Sequence, residues 1–235
     1  MEWQDDGIIL SVRKHGESSA IVTILTREHG RHAGLIRGGA GKRMSGILQP
    51  GNRVQATWRA RLADHLGAYT VEPAGAFAAA ALGDAARLSA LTSACALIEA
   101  ALPEREPHPA ILEGLEVLLG CIDDDTVWPV VYVKWELGLL QELGFGLDLT
   151  ACAATGDTDD LTYVSPKSGR AVSTAAAAPY KERLLPLPAF LADGGAEADI
   201  AAGLKLTGYF LENHVFHSRD TDLPAARKRL AERFN

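Results

Sequence analysis

Seven cations, Arg31, Arg37, Lys42, Arg43, Arg53, Arg59 and Arg61, fall between His29 and Ala63 with no Asp or Glu among them. The whole chain has a formal net charge of -7, so this window is a local cation field in an acidic molecule. Guanidinium and ammonium groups at that density attract polyanions. At the centre runs Gly34-Leu-Ile-Arg-Gly-Gly-Ala-Gly-Lys-Arg-Met-Ser-Gly46, followed by Ile47-Leu48-Gln49-Pro50-Gly51. Glycines 38, 39 and 41 are expected to give positive φ and close backbone approach to a ligand, while Arg37, Lys42 and Arg43 supply charge. A phosphate-cradling P-loop is excluded, because Gly41-Lys42 is followed by Arg43 rather than a hydroxyl residue, and Ile36 stands where its first glycine would be. A solvated loop with incidental charge is the plainer alternative, and the arginines of the following segment count against it.

Other reactive residue types form no catalytic set. Gly16-Glu-Ser18-Ser-Ala20 has the outline of a nucleophile elbow but leads into a strand, where an elbow serine leads into a helix. His29 with His32, and His214 with His217, have ligand-pair spacing without a carboxylate or cysteine partner nearby in sequence. Asp123-Asp-Asp-Thr126 before Trp128-Pro129 reads as a helix start rather than a metal site. Catalysis is therefore not expected, and neither is a cofactor. Cys95, Cys121 and Cys152 are an odd, scattered set, unlike a disulfide framework.

The elements that must carry the cation field change character along the chain. Residues 7–13, 20–26, 31–37, 53–62 and 66–71 are β-rich runs broken by Gly, Pro or charged turns. In the fourth run a period of two puts Arg53, Gln55, Thr57, Arg59 and Arg61 on one face and Val54, Ala56, Trp58, Ala60 and Leu62 on the other. Five short strands in about 75 residues suggest a small closed barrel of OB-fold type, with Tyr69 as the nearest base-stacking group. From residue 81 the apolar period becomes helical: Leu88 to Leu102, Ile111 to Ile122, Val130 to Leu140, Ile200 to His217 and Leu223 to Phe234. Residues 1–80 hold ten Lys/Arg against seven Asp/Glu, and residues 81–235 hold thirteen against twenty-three, which concentrates anion binding in the first part. The acidic start and the absence of a long apolar run point to a cytoplasmic protein without membrane contact.

Between helices, Cys152 to Ser173 has the rhythm of a zinc ribbon with one cysteine, since Thr155, Ser173 and Ala176 occupy the other ligand positions. It is expected to be a metal-free hairpin. The basic N-terminal strands with Gly34 to Gly51, the helical Trp135-Glu-Leu-Gly-Leu-Leu-Gln-Glu-Leu-Gly-Phe145, and Cys152 to Ser173 running into Leu185-Pro-Leu-Pro-Ala-Phe190 together resemble the bacterial RecO family of DNA repair proteins. The resemblance implies an α+β chain. An N-terminal OB-fold β-barrel (1–80) would precede an all-helical C-terminal domain (81–235), whose small zinc-ribbon-like insertion at about 150–178 lacks the cysteines. It implies a nucleoid-associated recombination mediator that binds single- and double-stranded DNA and anneals complementary strands. With RecR, and in some members RecF, such a protein loads RecA onto strands coated by single-stranded DNA-binding protein. The tail of that coating protein would dock on the helical domain, with Lys134 and Trp135 as candidate anchors.

Two other classes remain open on the residues alone: an OB-fold RNA-binding or translation-associated module, and a small hydrolase with a cryptic site. The ligand count generates a test of its own. Purified protein should hold no stoichiometric zinc and keep its melting temperature in chelator; one tightly held zinc per chain would overturn the reading of Cys152 to Ser173.

Overall fold

The structure, a computed structural model, describes residues 1–192 and 198–234. Five strands come first: β1 (Glu2–His15), β2 (Ser19–Thr26), β3 (Gly30–Ile36), then α1 (Lys42–Ser45), β4 (Arg53–Arg59) and β5 (Ala68–Gly75). They close into a barrel in the order β1-β2-β3-β5-β4. Closure depends on β1, which is long enough to pair with two neighbours. Its first half lies antiparallel to β4 from Glu2↔Arg59 to Ile8↔Arg53, and its second half lies antiparallel to β2 out to His15↔Ser19. Gly7 and Ile8 pair with both. A Cβ on Gly7 would stand 2.5 Å from the Leu25 carbonyl oxygen, so only glycine lets the two partners approach there. A register shift between Ile9 and Ser11 adds the bend, as an extra residue in a strand does.

Alternation decides what fills the barrel. Val54, Ala56 and Trp58 of β4 are buried with Ile9, Val22, Ile24, Ile36, Leu48 and Tyr69, as the period of two predicts. Burying one such large aliphatic side chain contributes about 1.5–3 kcal/mol. The predicted face ends early, however. β4 stops at Arg59, and Leu62, expected inside, is 51% exposed in the turn beyond it.

The helices follow their punctuation. α2 (Ala78–Leu82) is short, and α3 (Ala85–Ala101) starts at Asp84, whose carboxylate accepts from the Ala86 and Arg87 N–H groups at 2.8 and 2.9 Å. α4 (Pro109–Gly120) and α5 (Trp128–Glu142) each carry Pro in the first turn, where no backbone donor is needed. Of the aspartate triplet, Asp125 accepts from the Trp128 indole at 3.1 Å, an N-terminal role rather than a metal one. α3 lies on the barrel, where Glu99 accepts from Ser11 Oγ at 2.6 Å and Thr23 Oγ1 at 3.3 Å.

Next come β6 (Leu161–Val164), β7 (Ala171–Ser173), α6 (Thr174–Ala177), a 3-10 turn (Lys181–Arg183), β8 (Leu185–Pro186) and α7 (Ala189–Ala192). α8 (Ile200–Phe210) continues through a π-helical turn to Phe216, and α9 (Ala225–Glu232) is last. The expected hairpin is a three-stranded sheet of order β7-β6-β8, because Leu185-Pro186 adds to the free edge of β6. The described chain forms two compact units. One is Met1–Asp124 with Pro224–Leu230, so it includes α3 and α4 beside the barrel, and the other is Asp125–Leu223 with the residues from Ala231. In the second, Gly203 of α8 sits under Phe190 and Val133, and Thr207 donates its hydroxyl to the buried Glu136 carboxylate.

At one place the barrel interior is polar. His32 is 3% exposed among Trp3, Trp58 and Tyr69, with its Nδ1 3.2 Å from the Tyr69 hydroxyl. Burial pushes this imidazole down to about 4, and the Arg105 charge adds to the depression. Between the unfolded value near 6.5 and about 4, the unfolded chain therefore takes a proton that the native chain refuses. Stability present above pH 6.5 is lost as pH falls through this window, by about 1–3 kcal/mol. Chemical denaturation at several pH values should show that loss, and the slope should be shallower in His32→Gln; equal slopes would contradict it.

Candidate nucleic-acid interface

The glycine-rich segment is anchored on the barrel rather than hanging from it. After Ile36, Gly38 takes φ +71, while Gly39 and Gly41 do not enter the left-handed region. Gly39 serves close packing instead, since its Cβ would lie 3.0 Å from Ala20 Cβ. The expectation that all three glycines provide positive φ is corrected on that geometry. Nor is the segment an open loop, because Lys42 and Arg43 begin the helical turn α1. Leu48 is buried in the barrel core with Met44 packed against it, and Asn52 Nδ2 donates to the Gly46 and Ile47 carbonyls at 3.0 and 3.1 Å. The cations therefore stand on a fixed backbone.

A second cationic element meets the first. The Ala40 N–H donates to Ser18 O at 3.0 Å, joining the segment to the β1–β2 hairpin, whose last β1 residues are Arg13, Lys14 and His15. All three are exposed, as are Arg37, Lys42 and Arg43. Register explains the meeting: Lys14 pairs with Ala20, and Ala20 with Ile36, so Lys14 and Arg37 lie one row and two strands apart. Two strand spacings are about 10 Å. Five full positive charges thus share one end of the barrel, with Glu17 at the hairpin tip as the acidic neighbour.

The remaining members of the basic window go elsewhere. Arg31 bonds the Leu102 carbonyl at 3.0 Å and Glu104 at 3.3 Å, and its side chain is 15% exposed. Arg53 lies between Asp6 at 3.4 Å and Glu116 at 3.6 Å. Arg59 meets Glu2 at 2.7 Å across the β1–β4 pair. These three are charge-balanced, although the stretch of sequence around them holds no acid. Arg61 is exposed past the end of β4, without a carboxylate in ion-pair range among the described contacts.

Aromatic readout is withdrawn from this surface. Tyr69, expected to be the nearest stacking group, is 4% exposed with its ring against Gly34, so it cannot receive a base. Trp58 is also internal, and its indole N–H donates to Leu66 O at 3.0 Å. In the second unit Trp135 is buried beside Tyr132, with their rings 5.8 Å apart, whereas Lys134 is exposed. Successive helical residues point about 100° apart, so the two do not form one surface anchor. Arg13 and Lys14 lie outside the acid-free window, and their sequence signal is a basic pair just before a Gly turn between two β-runs.

The ribbon-like segment gathers the positions expected for a metal without the donors. The Cys152 thiol accepts from Ser173 N–H at 3.4 Å and Ser173 Oγ at 3.5 Å, and Ala176 packs against it. The Ser173 hydroxyl, its N–H and the Thr155 hydroxyl pull this thiol down to about 6. One thiol, two hydroxyls and a methyl cannot supply four zinc ligands. Among the described residues, no group of three or more His, Cys, Asp or Glu is placed to share a metal ion.

Residues 1–77 match the family model described as Recombination protein O N terminal, and residues 82–223 match Recombination protein O C terminal. The protein of Rhodospirillum centenum called DNA repair protein RecO is 54% identical over 239 residues, covering 100% of this chain and 95% of that one. Those of Phenylobacterium zucineum and Ruegeria sp., under the same name, are 52% and 49% identical, with 100% and 99% of this chain covered and 98% of each relative. A closed five-stranded barrel followed by helices, matched in both parts and over full length at about half identity, makes this chain a member of the RecO family.

Proposed function

We propose that this protein is a recombination mediator in DNA repair. It binds single- and double-stranded DNA, anneals complementary strands, and acts with RecR, and in some settings RecF, to load RecA onto strands coated by single-stranded DNA-binding protein. The observation that carries the DNA-binding part is the pair of fixed cationic loops, Arg13 and Lys14 against Arg37, Lys42 and Arg43, at one end of the barrel. We read that barrel, with its β1-β2-β3-β5-β4 order, as an OB-fold. The name DNA repair protein RecO borne by the full-length relatives supports the rest. In functional terms residues 1–80 are the nucleic-acid module and residues 81–235 the partner module. Lys134 remains the exposed candidate for the acidic tail of the coating protein, and activity is placed in the cytoplasm at the nucleoid.

The chemistry required is binding. Phosphates held by exposed cations release condensed counterions, which makes affinity salt-dependent and indifferent to base identity. Burial of Trp58 and Tyr69 removes stacking from the barrel's contribution. Annealing then follows from holding two strands at high effective concentration, with no bond made or broken by the protein. A grip resting on charge also loosens when a competing polymer arrives.

Replacing Arg37, Lys42 and Arg43 together by Ala should weaken single-strand binding about a hundredfold near 0.1 M salt, from about 0.7 log units per phosphate contact. Arg13→Ala with Lys14→Ala should cost about tenfold or more, whereas Arg59→Ala, which removes a guanidinium already paired with Glu2, should cost less than about fivefold. Fluorescence anisotropy with labelled oligonucleotides, followed by annealing of strands precoated with the coating protein, checks the set. Unchanged affinity in the triple variant would remove the proposal. Failure to anneal combined with tight binding of structured RNA would favour an RNA-binding module.

A further inference from the structure

The second unit is acidic, yet its cations are gathered. Residues 125–223 contain fourteen Asp/Glu and seven Lys/Arg, and four of the seven, Lys167, Arg170, Lys181 and Arg183, belong to the three-stranded sheet and its turns. The sheet is electrically polarised along its strands. Asp157, Asp159 and Asp160 precede the start of β6, and the Thr174 N–H, just after β7, donates to Asp160 O at 3.1 Å, which fixes the acidic end. At the other end β6 and β7 are joined by the turn that carries Lys167 and Arg170. β8 runs antiparallel to β6 with Val164↔Leu185, so the 3-10 turn that ends at Arg183 enters β8 at the same end of the sheet from which the β6–β7 turn leaves. Lys167, Lys181 and Arg183 are exposed. Arg170 is half-committed to Asp148 at 3.4 Å, and Glu182 is the acidic member of the 3-10 turn.

Tyr180 opens that turn and is 59% exposed. Among the described residues it is the one Phe, Trp or Tyr side chain that is exposed. A ring this exposed contributes little packing. Pro179 before it and the Tyr180 O to Arg183 N bond at 2.8 Å fix the backbone on which it stands. A fixed, exposed ring followed by Lys181 and Arg183, at the end of the sheet that also carries Lys167, has the composition that single strands require: a face for a base and charges for its phosphates.

We propose that this end of the sheet is a second single-strand contact, in which Tyr180 stacks on a base and Lys167, Lys181 and Arg183 hold the adjoining phosphates. The proposal rests on the reading of the protein as a strand-annealing mediator and deepens it. The barrel end grips phosphates without stacking, and annealing needs the protein to engage a second strand. Here the contact is aromatic, so its salt dependence is weaker than that of the barrel.

The test uses full-length protein and a single-stranded oligonucleotide carrying 5-iododeoxyuridine. Irradiation should cross-link the tryptic peptide containing Tyr180. Tyr180→Ala should slow annealing of complementary strands about tenfold, from the loss of one stacked base, while Tyr180→Phe should keep the wild-type rate. Lys181→Ala with Arg183→Ala should also slow it, and unchanged thermal melting would show that all three variants are folded. If Tyr180→Ala anneals at the wild-type rate and no cross-link maps to this peptide, while Arg37→Ala/Lys42→Ala/Arg43→Ala still loses DNA binding, the second contact is overturned and the mediator reading stands. If the triple variant also binds and anneals normally, the mediator reading falls with it.

Discussion

The sharing of β1 between two neighbours is the constraint on which the first unit depends. At Gly7 and Ile8 the strand pairs with β2 and β4 together, and the absence of a side chain at Gly7 lets the Leu25 backbone approach. Closure there fixes the register of β1 on β2, that register places the hairpin tip, and β3 delivers Arg37 beside it. The Ala40 to Ser18 hydrogen bond completes the join. A barrel built for packing thereby sets two cationic loops against one another without using a side chain from either.

Burial then determines what kind of contact that surface can make. Trp58 and Tyr69 pack the interior with His32, and Trp58 is further tied by its indole bond to Leu66 O. Rings spent inside cannot stack on bases outside. The loops carry cations, and the ion pairs of Arg31, Arg53 and Arg59 balance three of the other four members of the basic window, Arg61 being the fourth. The resulting charge is local and directional, which suits the proposed strand crossing one end of the barrel.

Much of this was legible in the residues, for identifiable reasons. The alternation of Val54, Ala56 and Trp58 holds because period two follows directly from strand geometry, and two helices begin where Pro109 and Pro129 mark their starts. What a linear reading could not supply was pairing between distant segments. The seven cations looked like one field, but Glu2, Asp6, Glu104 and Glu116, all outside the window, neutralise three of them. Arg13 and Lys14 looked incidental until strand register brought them to Arg37. Tyr69 and Trp135 looked available because their burial is decided by residues such as Gly34 and Tyr132, which contact them only in three dimensions. In sequence the ribbon segment has the pattern of a hairpin alone, because its third strand, Leu185-Pro186, is two residues long and carries no periodic signal of its own.

Under the proposed function, affinity for a single strand comes from charges on two joined loops and not from ring contacts at the barrel. The most direct measurement is the dependence of the association constant for oligo-dT on salt. The five barrel-end contacts contribute roughly -3.5 to the log–log slope, and removal of Arg37, Lys42 and Arg43 makes the slope shallower by about 2.1, from about -0.7 per contact. Slopes that are equal in the two proteins, or a shallow slope in the wild type with a strong preference for one base, would contradict it.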